Sequence, residues 1–424
     1  MANEGVREAI SRQVEANWEE QLAVTRDTVR IESVTGNEGR MQEYMAALYR
    51  RLGLRVDTLV ADKAQIQSHD AFIDSGCPLT QERPNVIGIL PGRADAPSVT
   101  LHGHVDVVSV EPRAAWTKDP WGAEIADGRL YGRGAGDMKA GLIANAYALK
   151  AVLDAGLRPK GEVQLHSVIE EELGGGGGAL ACLLAGYRTD GFVTTEPHAL
   201  NLTISHSGIL YFRVRVTGRT AHAGWAHLGV NAIGKMKPIY EALVDLDERR
   251  GREIRFPLYE KGSGRSCHLS IGTLEAGDWP STVAGFAVLQ GRMGFIPGET
   301  RAQTVALIED TVKQACAGDD WFEEHPPVVE WFGWKADPWY QDPDHPYVQT
   351  FKSAIEAVLG REAQIQGRSS ANDARLTQYF GTAGVAFGPT AVNIHGSDEY
   401  VDLESVRRAT EILALHVVKW CGVE

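Results

Sequence analysis

The stretch LHGHVDVVSV, residues 101–110, decides the fold prediction because an apolar run there ends in two polar side chains, His104 and Asp106. A short apolar run of this kind is typical of a buried strand, and here its carboxyl end presents the polar pair. A histidine binds a metal well when its second ring nitrogen donates to a carboxylate, because that fixes the tautomer. Taken alone, the stretch also fits a core strand that happens to end in polar residues.

Strand-like and helical segments alternate on both sides of this stretch. NVIGIL (85–90), EVQLHSVI (162–169) and GFVTT (191–195) have the composition of short buried strands, and a helical pattern covers about 138–155. This alternation predicts an α/β domain with a mostly parallel sheet and helices on both faces. Such sheets bind ligands at the carboxyl ends of their strands.

The pattern changes near Ser207, where ILYFRVRVTG (209–218) alternates apolar and polar residues as a half-exposed strand does. Further along follow a helix from near Asn231, strands at about 267–275 and 283–293, a helix over about 300–317 and the strand PVVEWFGW. The order β-α-β-β-α-β predicts a ferredoxin-like unit. We therefore expect an inserted domain over 207–336 within a discontinuous catalytic domain formed by 1–206 and 337–424.

Composition narrows the function classes. The formal net charge of −14 repels a phosphate backbone, so we expect no nucleic-acid partner. No apolar stretch approaches the length of about 20 residues that spans a membrane, and the acidic amphipathic N-terminus is unlike a secretory signal. The five scattered cysteines form no CxxC pair, which disfavours a disulfide framework or a thiolate zinc site and predicts a cytoplasmic location.

Four further clusters of acidic residues or histidine follow strand or turn ends. They are Asp137 in GRGAGDMKAG, Glu170, Glu171 and Glu172 in IEEELGGGGG, Glu196 in TTEPH, and His395 in AVNIHGSDEY. The glycine spacing differs from the GxGxxG of a dinucleotide loop, and the chain has neither an HExxH helix nor a GxSxG elbow. Each cluster alone also fits a solvated loop, but nitrogen and oxygen donors without cysteine suit zinc, manganese or cobalt.

With these five clusters in this order, from TGNEG (35–39) to HGSDEY (395–400), the sequence resembles a family of two-metal amide hydrolases. Its members include acetylornithine deacetylase, succinyl-diaminopimelate desuccinylase, aminoacylase and glutamate carboxypeptidase. The resemblance implies two divalent ions per chain, most readily zinc, with manganese or cobalt as alternatives. It implies that Asp137 bridges the ions, that His104 and Glu196 complete one site, and that Glu172 and His395 complete the other.

The same resemblance implies the catalytic roles. Asp106 would orient His104, and Glu171 would be the general base that takes a proton from a metal-bridging water and passes it to the leaving amine. The expected reaction is cleavage of the amide bond of an N-acyl amino acid or a related small N-acyl amine, as in acetylornithine deacetylase. A dipeptidase or carboxypeptidase, an N-formyl-amine deformylase and an aminohydrolase that releases ammonia remain open. A non-catalytic binding protein is disfavoured because the base and all five ligands are present.

The predicted insertion resembles the family's lid and dimerisation domain. GRTAHAGWAHLGVNAI (218–233) implies that His222 reaches the active site of the partner subunit in a homodimer and stabilises an oxyanion there. Arg292, in LQGRMGFIP, resembles the arginine that binds a substrate carboxylate, although a surface ion pair is its alternative reading. Ser281 and Asn231 are the further expected substrate-binding residues. The chain has STVAG (281–285) where many members have NVVPD, so the carboxylate side of the pocket differs from the family pattern.

Overall fold

A computed structural model describes residues 4–424, apart from the side chains of residues 261–263. The chain forms two compact units. One contains the described residues up to Ile204 together with Gln341–Gln366 and Asn372–Glu424. The other contains Ser205–Tyr340 and the short segment Gly367–Ala371. The sequence-based boundaries of the insertion, 207 and 336, lie within a few residues of these limits, but the short returning segment was not expected.

The structure contains the predicted helices and strands together with further short elements that were not predicted. The helices are α1 Glu4–Arg30, α2 Gly39–Arg51, α3 Lys63–Ile66, α4 Ala140–Asp154, α5 Ala181–Leu184, α6 Ala232–Glu253, α7 Pro257–Ser263, α8 Arg301–Ala315, α9 Asp320–Glu324, α10 Pro346–Leu359 and α11 Leu403–Cys421. The strands are β1 Arg55–Leu59, β2 Asn85–Leu90, β3 Val99–His104, β4 Glu124–Ala126, β5 Arg129–Tyr131, β6 Val163–Val168, β7 Gly191–Thr194, β8 Leu202–His206, β9 Gly208–Thr217, β10 Leu269–Ala276, β11 Phe286–Phe295, β12 Val328–Ala336, β13 Trp339–Tyr340, β14 Ile365–Arg368, β15 Ala383–Ala386, β16 Ala391–Val392 and β17 Tyr400–Asp402.

The central sheet of the first unit has the strand order β1-β2-β6-β3-β7-β15-β8. Its middle strands β6, β3, β7 and β15 are parallel, whereas β1, β2 and β8 join antiparallel at the two sides. Parallel strands must be buried on both faces, and every residue of β3, β6, β7 and β15 is buried. The predicted α/β fold with a mostly parallel sheet is therefore confirmed, with antiparallel strands added at its edges.

Helix packing buries this sheet. Helix α4 packs against β3 and against α1 and α11, and twelve of its fifteen residues are buried, so it lies inside the unit. Gly141 permits α4 to approach the chain just after β7 closely, since a side-chain carbon at this position would collide with the carbonyl oxygen of Thr195. Between β6 and β7 the glycine-rich segment forms a wide helical turn at Gly176–Leu180, and the regular helix α5 that follows it is only four residues long.

The second unit contains a four-stranded antiparallel sheet in the order β10-β11-β9-β12. This is the strand order of the ferredoxin-like unit, so that prediction is confirmed. Helices α6 and α8 pack together, and their apolar side chains meet alternate residues of the sheet in one core, for example Ile239, Ile308 and Val214. None of the helices in the described part of the chain combines the length and apolar character that a membrane crossing needs.

Candidate metal centre

The site is built where three neighbouring parallel strands end. β3 lies between β6 and β7, and in register His104 stands opposite Val168 of β6. The chain leaves β6 into Glu171 and Glu172 and leaves β7 into Glu196. The carboxyl ends of parallel strands meet at one edge, so acidic residues that are distant in sequence collect around His104.

Three carboxylates approach the Nε2 atom of His104. The nearest is Asp137, whose Oδ1 lies at 3.2 Å, followed by Glu196 Oε1 at 3.7 Å and Glu171 Oε2 at 3.9 Å. Ligand atoms of His104, Glu171 and Glu196 all lie within 4.8 Å of one another, as do those of His104, Asp137 and Glu172. Each of these groups has the composition and the spacing of a divalent cation site.

A second histidine approaches the same aspartate from the other side. His395 Nε2 lies 2.9 Å from Glu172 Oε2 and 3.4 Å from Asp137 Oδ2. Asp137 therefore presents one oxygen towards His104 and the other towards His395. A carboxylate shared in this way is the arrangement that bridges two metal ions. All five predicted ligands are thus brought together.

Asp106 orients this site through two kinds of contact. His104 Nδ1 lies 2.9 Å from the backbone carbonyl oxygen of Asp106, and the carboxylate Oδ1 is more distant at 3.5 Å. With the proton on Nδ1, the Nε2 atom is free to act as a ligand. The carboxylate of Asp106 also accepts hydrogen bonds from the backbone N–H groups of Glu171 at 3.1 Å and Glu172 at 3.2 Å. It therefore positions the glutamate run as well as His104.

The run of three glutamates is accommodated because each carboxylate has a different environment. Glu170 adopts a left-handed backbone conformation with φ of 65°, which turns the chain sharply after β6. Its carboxylate is paired with Arg83 at 3.2 Å and accepts a hydrogen bond from Gly177 N–H at 3.1 Å. Glu170 therefore anchors the turn, while Glu171 and Glu172 face the cluster.

Burial and mutual repulsion shift the pKa values of the carboxylates. Burial, reinforced by the neighbouring Glu196, raises the pKa of Glu171 well above its usual value. Burial and the charge of Asp137 likewise raise the pKa of Glu196, and they raise that of Glu172 to about 7. Such crowded carboxylates need nearby positive charge to remain ionised at neutral pH.

The histidines and Asp137 shift in the opposite sense, towards their charged forms. Burial opposes protonation of His104, but hydrogen bonds with Asp106 and Asp137 outweigh it and raise its pKa. Hydrogen bonds with Asp137 and Glu172 raise the pKa of His395 to about 10. Burial also disfavours the ionised form of Asp137, yet hydrogen bonds from both histidines hold its pKa well below the usual range. The converging carboxylates therefore stabilise positive charge on the groups that lie between them.

Unpaired buried oxygens show that the cluster fits metal ions. Glu172 Oε1 and Glu196 Oε1 are buried without a hydrogen-bond partner anywhere in residues 4–424 that the structure describes. A buried carboxylate oxygen without a partner is costly, and coordination to a cation satisfies it. The donor set has two imidazoles and carboxylates and no thiolate, so it suits a borderline or hard divalent ion.

The remaining expected site residues belong to the second unit. His222 is exposed, and its Nδ1 accepts a hydrogen bond from Gly224 N–H at 3.1 Å. Arg292 is half-buried on β11 and donates to the carbonyl oxygen of Ser369 at 2.6 Å. No carboxylate among the described residues lies within ion-pair distance of Arg292, so the surface ion pair considered as its alternative is not observed.

Two expected substrate-binding residues have local structural contacts. The Asn231 side chain caps helix α6 by accepting a hydrogen bond from Ile233 N–H at 2.9 Å. Ser281 is exposed, and its backbone carbonyl oxygen accepts a hydrogen bond from Ala223 N–H at 2.9 Å. The structure contains no contact that assigns either side chain to a substrate, so their binding roles remain predictions.

Sequence reasoning missed several buried polar residues beside the metal centre. Glu399 binds the backbone around Asp137 and pairs with Arg133. His102 pairs with Asp373 at 3.0 Å beneath the glutamate run. Glu399 lies within HGSDEY, so an acidic residue four positions after His395 was a usable signal. Asp373 had no such signal, because it begins a short 3₁₀ helix, Asp373–Tyr379, that lies 271 residues after His102 in the chain.

Comparison with known protein families assigns the chain that carries this cluster to one of them. The chain belongs to Peptidase family M20/M25/M40, whose sequence description matches residues 100–419. The expected resemblance to this family of metal-dependent amide hydrolases is therefore confirmed.

Individual relatives have different substrates. The chain is 29% identical over 360 residues to N-formyl-4-amino-5-aminomethyl-2-methylpyrimidine deformylase of Bacillus subtilis, covering 80% of this chain and 83% of that protein. It is 25% identical to succinyl-diaminopimelate desuccinylase of a Bradyrhizobium species, covering 92% and 96%. The crystal structure of an M20 family metallo-carboxypeptidase from Sulfolobus solfataricus matches with a TM-score of 0.74 at 17% identity, covering 95% of this chain and 99% of that chain. That last likeness supports the fold alone.

Proposed function

We propose that this protein is a two-metal hydrolase that releases a small acyl group from the nitrogen of a small amine. The observation that carries the proposal is the position of Asp137 between His104 and His395, with one carboxylate oxygen facing each imidazole. Family membership supplies the reaction class, amide hydrolysis. The formyl and succinyl substrates of two relatives indicate small acyl groups.

The ligand assignment is the one that the family resemblance implies, and the distances within the cluster are compatible with it. In this proposal His104, Glu196 and Asp137 hold one ion, and His395, Glu172 and Asp137 hold the other. The ions would supply Lewis-acid polarisation of the amide carbonyl and would lower the pKa of the attacking water. We favour zinc because two imidazoles and carboxylates suit it, with manganese and cobalt as alternatives.

Glu171 is the general base in this proposal. It is buried beside the cluster, and its carboxylate makes no contact with His395, whereas Glu172 does. It is therefore available to take a proton from water on a carboxylate oxygen and later to deliver it to the leaving amine nitrogen. Asp106 holds the backbone of Glu171 and so keeps the base aimed at the cluster.

The proposed substrate class is an N-formyl, N-acetyl or N-succinyl amine. Arg292 has the donors to bind a carboxylate, which suits an N-acyl amino acid. The STVAG segment at 281–285 departs from the pattern of family members that bind such carboxylates, and the B. subtilis relative acts on a formylated aminopyrimidine. The second candidate is therefore an N-formyl-amine deformylase with a substrate that lacks a carboxylate.

A substrate panel tests the proposal. Protein stripped with a chelator and reloaded with zinc, manganese or cobalt is assayed on N-formyl, N-acetyl and N-succinyl amino acids, formylated aminopyrimidines and dipeptides. We expect metal-dependent release of one carboxylic acid together with a free amine. Release of ammonia would instead indicate an aminohydrolase. Two bound ions with no hydrolysis of any panel member would contradict the proposed substrate class.

We further propose that the protein acts in the cytoplasm as a homodimer formed through the second unit. All five cysteines are free thiols, which suits a reducing compartment. Helix α6 presents Ile233, Tyr240 and Val244, which are exposed and share one face of the helix. Ile233 and Tyr240, together with Leu274 of the edge strand β10, line a groove with a volume of about 300 Å³. Exposed apolar surface of this kind beside an unpaired strand edge is suited to a second copy of the chain.

A pair of variants on opposite edges of the same sheet tests the dimer. Leu274 on β10 is 51% exposed and Val328 on β12 is 50% exposed. We expect Leu274→Glu to give a monomer in sedimentation analysis and Val328→Glu to leave a dimer. A wild-type monomer, or a dimer in both variants, would contradict this interface.

A further inference from the structure

A buried carboxylate outside the proposed ligand set binds the loop that carries Asp137. Both oxygens of Glu399 are used, because Oε1 accepts hydrogen bonds from Gly136 N–H at 2.9 Å and Asp137 N–H at 3.0 Å. Oε2 accepts from Gly134 N–H at 3.1 Å and from Arg133 Nη1 at 2.5 Å. Three backbone N–H groups within residues 134–137 and one guanidinium therefore donate hydrogen bonds to a single carboxylate.

Arg133 extends this arrangement to the loop that carries His395. Its Nη2 donates to the carbonyl oxygen of Gly396 at 3.0 Å and to that of Ser109 at 3.2 Å. Gly396 directly follows His395 in the chain. One buried ion pair, Arg133 with Glu399, thus connects the backbone beside Asp137 to the backbone beside His395.

The His395 loop needs such support because its backbone is unfavourable. His395 has φ of 61° and Asp398 has φ of 55°, both in the left-handed region that non-glycine residues avoid. The His395 side chain is 52% exposed, so burial of the ring does little to hold it. Asp398 fixes the loop at a second point by accepting hydrogen bonds from Thr117 N–H and Oγ1 at 2.9 and 2.8 Å.

We propose that Glu399 is a positioning residue that sets the spacing between Asp137 and His395 and thereby the affinity for the metal ion they share. Its carboxylate binds Arg133 and backbone N–H groups, and so it acts on Asp137 and His395 through the backbone. Groups that orient metal ligands change metal affinity by about 10–100-fold when they are removed. The inference rests on the proposed metal site.

Glu399→Gln tests the proposal by replacing one acceptor oxygen with an NH₂ group of the same size. The amide nitrogen must face either Arg133 and Gly134 N–H or the pair of Gly136 and Asp137 N–H, and both alternatives place donors against donors. We expect calorimetric titration of the chelator-stripped full chain with zinc to show at least one equivalent weakened by about 10–100-fold. The KM for substrate at saturating zinc should change less than threefold.

A matched control exists in the second unit. Glu299 accepts from Arg250 Nη1 at 2.9 Å, from Arg250 Nη2 at 2.8 Å and from Ile296 N–H at 3.0 Å. Glu299→Gln therefore removes a comparable arginine and backbone contact away from the cluster. We expect it to bind both zinc equivalents as the wild type does.

The outcomes separate the inference from the proposed function. Wild-type protein that binds no zinc would refute the proposed metal site. Wild-type protein with two zinc equivalents and a folded Glu399→Gln variant with unchanged affinities would refute the positioning role alone. If Glu399→Gln does not fold, Arg133→Lys decides, since it keeps the charge but loses the fork that reaches Gly396. Unchanged zinc affinities in Arg133→Lys would then overturn the inference, and a weakened equivalent would support it.

Discussion

Glu171 and Glu172 are adjacent in the chain, yet their carboxylates have different neighbours. Glu172 Oε2 lies 2.9 Å from His395 Nε2, whereas Glu171 Oε2 lies 3.9 Å from His104 Nε2. Asp106 holds the backbone N–H groups of both residues, so the division of roles depends on the direction of each side chain. If the assignment were shifted by one residue, Glu172 would be the general base and Glu171 a metal ligand.

Glu171→Gln should separate these two roles. We expect turnover to fall at least about 100-fold, because the amide cannot accept a proton, while both metal ions stay bound. Turnover and metal content, the latter by elemental analysis of the purified protein, are the measurements. Glu172→Gln is the matched control and should lose one ion. Loss of metal in Glu171→Gln with full occupancy in Glu172→Gln would show that the two assignments are reversed.

At the scale of the element, helix α6 is capped by Asn231, a residue that the sequence predicts to bind substrate. The Asn231 side chain accepts the Ile233 N–H, which would otherwise be an unsatisfied donor at the helix N-terminus. The cap and substrate binding are distinguishable, since serine can cap a helix but lacks the amide.

Asn231→Ala is expected to lower the free energy of unfolding by about 1 kcal/mol, as loss of a helix cap does. Asn231→Ser should retain most of that stability, and neither variant should change KM. Denaturant unfolding and steady-state kinetics measure the two effects. A raised KM in Asn231→Ser at unchanged stability would instead support the substrate-binding role.

Helix α11 contains a histidine that is buried among aromatic rings. His416 lies 4.3 Å from Phe351 and 4.9 Å from Tyr347, measured between ring centroids. Within the described part of the chain neither of its ring nitrogens has a hydrogen-bond partner. Burial lowers the pKa of His416 to about 3, so it stays neutral in the folded protein.

This burial predicts a pH dependence of stability. The histidine of the unfolded chain takes up a proton near pH 6.5, and the folded chain does so only near pH 3, so the stabilisation is present above 6.5 and is lost progressively between these values as the pH falls. Between pH 6.5 and 5 the His416 contribution amounts to up to about 2 kcal/mol. We expect His416→Phe to remove this part of the slope in denaturant unfolding. The exposed His227→Phe serves as the control, and equal slopes in His416→Phe and wild type would contradict the prediction.

At the scale of the whole molecule, the proposed reaction draws on residues of both units. The metal cluster and Glu171 belong to the first unit, whereas His222 and Arg292 belong to the second. In the homodimer that we propose, the family resemblance implies that His222 would serve the site of the partner subunit, so an active site would contain parts of two chains.

Subunit mixing tests this arrangement. His222→Ala and Glu171→Gln should each be nearly inactive alone, and random exchange should restore about a quarter of wild-type activity, because half of the dimers are mixed and each mixed dimer has one intact site. Activity is measured after subunit exchange has been verified with differently labelled chains. Complete exchange without recovered activity would place His222 outside catalysis in trans.

The sequence by itself determined the α/β and ferredoxin-like folds, and its resemblance to a known family supplied the candidate ligands. Hydrophobic periodicity is a local property, and polar residues at the end of an apolar strand or just beyond it, such as His104 and Glu196, reveal the strand end in the sequence itself. Tertiary structure decided which of these residues meet and what holds them. The antiparallel pairings of β2 with β1 and β6, the contact of Glu399 with the Asp137 loop and the pairing of His102 with Asp373 all join segments that are distant in the chain. Such contacts depend on strand order and loop paths, which no local pattern encodes.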